Sequence, residues 1–229
     1  MRIWLWDTFG RERVFWHGKD EDGVINTVVR ARGVKYFSRY AAVGGHFVFT
    51  NRHIQALPQP KIFSAVFRRP AEQVVSHFEF VSQLPEHAFY FDGTLEDALT
   101  TDTAFLRAST NNQCLQSTGC GNAVDALKVI DHYEFILGCF DSLPKFVECV
   151  ATTLNLPRRE LPRANVQDTD YFKKHYTPRV AELIREITRE DEAVYQRVLK
   201  EGVLSTIHAP RVCPGTSSRI TKLSKHEAD

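Results

Sequence analysis

The run from Lys61 to Phe78 constrains this chain more than any other, because its apolar spacing changes period in the middle. Ile62, Phe63, Ala65, Val66 and Phe67 crowd together, as they do in a short strand buried within a parallel sheet. Pro70 suits the first position of a helix, where the missing N–H costs nothing. Ala71, Val74, Val75 and Phe78 then recur at helical spacing and form one apolar face. Arg69, Gln73 and Ser76 project on the opposite side. The unit therefore sets Arg68 at the C-terminal end of a strand, beside a helix N-terminus, with the Ser76 hydroxyl on the helix's polar face. Helix N-termini attract anions through their free amides and dipole. The C-terminal edge of a parallel sheet is also where α/β folds bind ligands.

The rest of the chain repeats the alternation. Residues 1–9 read as the end of an amphipathic helix carrying Ile3, Trp4, Leu5 and Phe9, and Arg13–Trp16 as a short strand. Asp22 caps a helical pattern running to Arg30. Gly44–Thr50 reads as a strand entered through a glycine turn, and 51–60 as a loop or short helix. After a helix over 70–83, the stretch 85–102 is loop-rich with a helical piece near Leu95–Leu99. Asn122–Asp125 looks like a capping box opening a helix with Ala123, Ala126, Leu127 and Ile130 inward. Phe135–Phe140 is a third buried strand. Helices follow from Asp141, with Leu143, Phe146, Val147, Val150 and Leu154 on one stripe, and from Thr177–Pro178, with Val180, Leu183, Ile184 and Ile187 inward. A further turn or two spans Asp191–Leu199. The pattern predicts one α/β domain over residues 1–206, built on a parallel sheet flanked by helices, and a mobile tail over 207–229.

Composition removes several function classes. The 229 residues carry 29 basic and 28 acidic side chains, a net charge of +1, which gives no support to nucleic-acid binding or a polybasic membrane role. No window of about 20 apolar residues is present to span a membrane. The five cysteines, at 114, 120, 139, 149 and 213, are odd in number and scattered, so they form neither a disulfide framework nor a zinc site, and no metal is expected. Cys114 and Cys120 are close enough to pair in an oxidising compartment. Reduced thiols are the plainer reading.

Arg68-x-Pro70 followed by Ser76 resembles the 3′-phosphate motif of sulfotransferases that use 3′-phosphoadenosine 5′-phosphosulfate (PAPS). The flanks resemble the sulfotransferase family 2 branch, which includes the uronyl 2-O-sulfotransferases and bacterial relatives. Gly45-His46-Phe47, Asn112-Gln113 and Glu134–Gly138 look similar to that family as well. The resemblance implies a P-loop-nucleotide-like fold and in-line transfer of a sulfonate from PAPS to a hydroxyl, on a saccharide-type acceptor. It implies that Arg68 and Ser76 hold the 3′-phosphate of PAPS or adenosine 3′,5′-bisphosphate. His46 is the implied general base, suited by a pKa near neutrality. Asn112 and Gln113 are candidates for adenine or acceptor contacts. Arg69 stands where the family has Asp, and Gln73 where it has Arg, so Arg69 is assigned as a displaced phosphate contact. Arg158, Arg159, Arg163, Lys173 and Lys174 form a basic region that reads as a solvated face or as an anionic-acceptor surface.

One family element is missing. Relatives carry a strand and a Pro-Lys-Thr-Gly-Thr-Ser-like loop for the 5′-phosphosulfate, and no Gly-rich Lys-Ser/Thr element occurs here. On that basis the domain is expected to be N-terminally incomplete, its sheet to lack the central strand, and the chain alone to be inactive. The alternative is a non-catalytic remnant that binds nucleotide or another protein. A kinase-like phosphotransferase is disfavoured, because no Walker-type Gly-Lys-Ser/Thr is present. Cytoplasmic placement is expected, and a Golgi-lumen enzyme without its anchor reads the same way.

Overall fold

The computed structural model describes residues 2–16, 35–45, 48, 57–58, 61–159, 161 and 170–207. The helix expected over 22–30, His46, Arg163 and all but the first residue of the expected tail lie outside them.

The strand–turn–helix unit forms as its spacing dictates. Strand β3 (Phe63–Phe67) leads through Arg68 and Arg69 into helix α2 (Pro70–Val81), with Pro70 in the first turn. Helix α2 buries Val74, Val75, Phe78 and Val81, each contributing about 2 kcal/mol by removal from water. Their partners are the short helices α3 (Leu95–Thr101) and α4 (Thr103–Ser109) together with α9 (Pro178–Ile187), through Leu95, Leu99, Phe105, Val180 and Ile184. The Thr177 hydroxyl caps α9 by accepting from the Val180 amide at 3.2 Å.

Strand β4 (Phe135–Cys139) pairs parallel with β3, Phe63 opposite Phe135 and Phe67 opposite Cys139. All five β4 residues are buried. Phe135, Leu137 and Cys139 face α6 (Ala123–His132) and α10 (Arg189–Glu201), meeting Ile130, Val194, Tyr195 and Val198. Ile136 points the other way, to Phe146, Val147 and Val150 of α7 (Leu143–Thr153) and to Trp4 of α1 (Arg2–Phe9). Helices therefore cover both faces, and the fold is α/β with small sheets. Asn122 caps α6 as its spacing predicts, accepting from the Asp125 amide at 2.9 Å.

One expectation changes. The main sheet is mixed rather than wholly parallel, because β5 (Val203–Ser205) joins the free edge of β4 antiparallel. At three residues, β5 is too short to show a period of two. Strand β4 occupies the middle of the order β3–β4–β5, and β3 pairs with it directly. Strand β2 (Ala42–Gly44) pairs parallel with β1 (Val14–Trp16) in a separate two-stranded sheet, and of the strand expected over Gly44–Thr50 residues 46, 47, 49 and 50 lie outside the described residues. Asn112 and Gln113 open helix α5 (Asn112–Thr118), entered through Asn111 at φ 44°.

Candidate functional site

The C-terminal ends of β3 and β4 meet at Arg68. Its backbone continues the strand by pairing with a side chain. The Arg68 amide donates to Gln113 Oε1 at 2.7 Å, and Gln113 Nε2 donates back to the Arg68 carbonyl at 2.9 Å. Gln113 thus supplies both hydrogen bonds that a neighbouring strand would give at this position. The Arg68 guanidinium lies over the Phe140 ring, 5.1 Å from its centroid, and Nη2 donates to the Tyr171 hydroxyl at 2.9 Å. Tyr171 comes from α8 (Asp170–His175), and Phe140 follows β4 with about half its surface exposed. Arg68 Nε is buried without a hydrogen-bond partner, and the nearest carboxylate oxygen, Glu72 Oε2, stands 3.7 Å away. Glu72 Oε1 also approaches Arg69 Nε at 4.0 Å. The acidic side chain one turn into α2 therefore shares the charge of both arginines.

Gln113 is itself placed from a distance. Asp191, fully buried at the start of α10, accepts from the Gln113 amide at 3.0 Å and the Cys114 amide at 2.8 Å, capping α5 in trans. The neighbouring Glu190 accepts from the Ala123 amide at 2.9 Å, at the start of α6. Burial pushes the Asp191 carboxyl pKa up, against the lowering effect of those two amides. Burial and the adjacent Asp191 also push the Cys114 thiol far up, so it is held as a neutral thiol. Cys114, Cys120, Cys139 and Cys149 are all free thiols.

Arg69 faces a different place. Its side chain is more than half exposed and lines a cleft of about 490 Å³ between the N-terminus of α2 and helices α9 and α10. No side chain caps α2. The Tyr195 hydroxyl and then Glu72 raise the Arg69 pKa above its ordinary value.

Ser76 is half-buried on α2, one turn beyond Glu72 on the same helix face, so a carboxylate stands between it and Arg68. Asn112 Oδ1 accepts from Gln116 Nε2 at 3.1 Å within α5. The basic region is an exposed, partly paired face: Arg158 meets Glu148 at 2.9 Å and Lys173 meets Asp170 at 3.4 Å. Sequence reasoning missed Glu72, Phe140, Tyr171, Asp191 and Tyr195. Glu72 was legible, since it stands four residues after Arg68 at helical spacing. The other four reach the site from elements distant in the chain.

Among the described residues no group of His, Cys, Asp and Glu is arranged to hold a metal ion, and no helix is long and apolar enough to cross a membrane. No family model, no curated protein and no solved structure matches this chain.

Proposed function

We propose that the β3–α2 turn binds the 3′-phosphate of PAPS or adenosine 3′,5′-bisphosphate, and that the protein moves a sulfonate from PAPS to a hydroxyl of a saccharide-type acceptor. The supporting observation is Arg68: a guanidinium at the C-terminal edge of a parallel strand pair, its backbone fixed by Gln113, its Nε lacking a hydrogen-bond partner. In this reading the parallel pair belongs to a P-loop-nucleotide-like fold. The arriving phosphate takes over from Glu72 as the counter-charge of Arg68, with Ser76 as a second donor, while Arg69, the displaced contact expected from the sequence, faces the other cleft. The acceptor oxygen attacks sulfur as the bond to the bridging phosphate oxygen breaks. Adenosine 3′,5′-bisphosphate leaves, and His46 takes the acceptor proton.

The position of Glu72 favours a second reading, a nucleotide-binding or protein-interaction domain without turnover, because a resident carboxylate weakens any anion site it faces. Thermal melting separates the readings. Adenosine 3′,5′-bisphosphate at about 100 times its Kd is expected to stabilise the fold by about 2.7 kcal/mol. The shift should vanish in Arg68→Ala and grow in Glu72→Gln. An equal shift in Arg68→Ala sinks the site, and no shift in the wild type leaves the protein-interaction reading. Radiolabelled transfer from PAPS to a polysaccharide, lost in His46→Ala, tests turnover, and its detection overturns the expectation that the chain alone is inactive.

A further inference from the structure

The cleft beside Arg69 has features that the donor reading does not use, and Arg68 is not among its lining residues. Arg69, Arg185 and Arg189 line it against one carboxylate, Glu192. Arg189 is already shared with Glu190, at 2.9 Å. Its apolar lining includes Tyr176, Ile184 and Leu199, and Leu199 is 44% exposed. A concavity of about 490 Å³ is in the range that receives small organic ligands.

Its polar end is rich in donors. Tyr195 is 2% exposed, its ring is part of the core against β4, and its hydroxyl is buried without a hydrogen-bond partner. Buried hydroxyls are nearly always bonded, so this one calls for an explanation. The Arg69 guanidinium lies beside it but carries only donors, so it cannot accept the hydroxyl's proton. Ala71 also lines the cleft, at the uncapped start of α2. The amides of Ala71 and Glu72 stand in the helix's first turn, where no intrahelical acceptor exists. A hydroxyl, a guanidinium and helix-terminal amides all stand at this end of the cleft, with Glu72 Oε1 no nearer to Arg69 Nε than 4.0 Å, which describes the place of an oxyanion.

We infer that this cleft is a separate binding site for a phosphate or sulfate monoester carried on a flat ring. Arg69, the Tyr195 hydroxyl and the α2 amides receive the oxyanion, and the ring lies against Tyr176 and Leu199. Glu72 competes for Arg69, so affinity falls as salt rises.

Isothermal titration with phenyl phosphate and phenyl sulfate tests the site, and the comparison tells which ester it prefers. Inorganic phosphate serves as the ringless control and is expected to bind at least about tenfold more weakly. Tyr195→Phe should weaken binding of the preferred ester about tenfold, as should Arg69→Gln. In the same protein, Tyr195→Phe should leave the unliganded Tm unchanged or raised, because the hydroxyl it removes is buried with no acceptor for its proton. A lowered Tm with affinity unchanged makes the hydroxyl a structural partner of Arg69 and overturns the inference. So does failure of both esters to bind the wild type at millimolar concentration. Adenosine 3′,5′-bisphosphate is expected not to displace the ester, and displacement overturns the separation of the two sites.

Discussion

Asp191→Ala is expected to lower the unfolding free energy by about 4 kcal/mol, because the Gln113 and Cys114 amides at the start of α5 lose the carboxylate that accepts from them and each unsatisfied donor costs about 1–3 kcal/mol. The carboxylate joins two elements 77 and 78 residues apart in sequence, so its loss also frees Gln113 and, through it, the Arg68 backbone. Urea denaturation measures the first effect. Loss of the adenosine bisphosphate shift before global unfolding measures the second. Asp191→Asn keeps the volume and one acceptor, and is expected to lose about half as much. The pH dependence carries a definite sign. Burial raises the folded-state pKa, so the stabilisation from protonating Asp191 is fully present below the ordinary aspartate value and is lost as pH rises through the folded value. The stability advantage of the wild type over Asp191→Asn should therefore widen as the pH falls towards 4. A constant or narrowing difference contradicts the assignment of burial as the dominant influence on this carboxyl.

Gly138→Ala is expected to cost about 3 kcal/mol, at the upper end for overpacking a core. Gly138 sits in the middle of the main sheet, in β4, under α7. A Cβ placed there stands 2.6 Å from Phe146 Cβ and 2.7 Å from Phe146 Cδ2. The nearest atom is a Cβ, not the end of a flexible side chain, so Phe146→Leu does not relieve the clash. The helix itself must retreat, and Val147 and Val150 lose contact with Ile136 as it does. A measured loss under about 1 kcal/mol, or rescue by Phe146→Leu, shows that α7 is not seated as close as the structure has it.

Elements with a long apolar period are legible in the sequence. Helix α2, the capped starts of α6 and α9, and the buried β4 all stand where their spacing puts them, because burial of one face is a local property that sequence records directly. Strand β5 and helices α4 and α5 are not legible in this way. Val203–Ser205 is too short to show periodicity, and α4 and α5 are seven residues each. The amide pair at 112–113 gives no helix signal of its own, since Asn112 offers the backbone competing hydrogen bonds. Its helix stands because Asp191, far along the chain, satisfies the amides that would otherwise disfavour it.

The sequence alone put an arginine pair at the junction of a strand and an uncapped helix, since strand, proline and apolar face are neighbours in the chain. Only the tertiary structure decided what those arginines meet. Arg68 is held by Gln113, Tyr171 and Phe140, while Arg69 opens onto a cleft with the Tyr195 hydroxyl. The physical reason is range: hydrophobic periodicity is set between residues three or four apart, whereas the pairing of a polar group depends on whichever distant helix packing brings within about 3 Å of it.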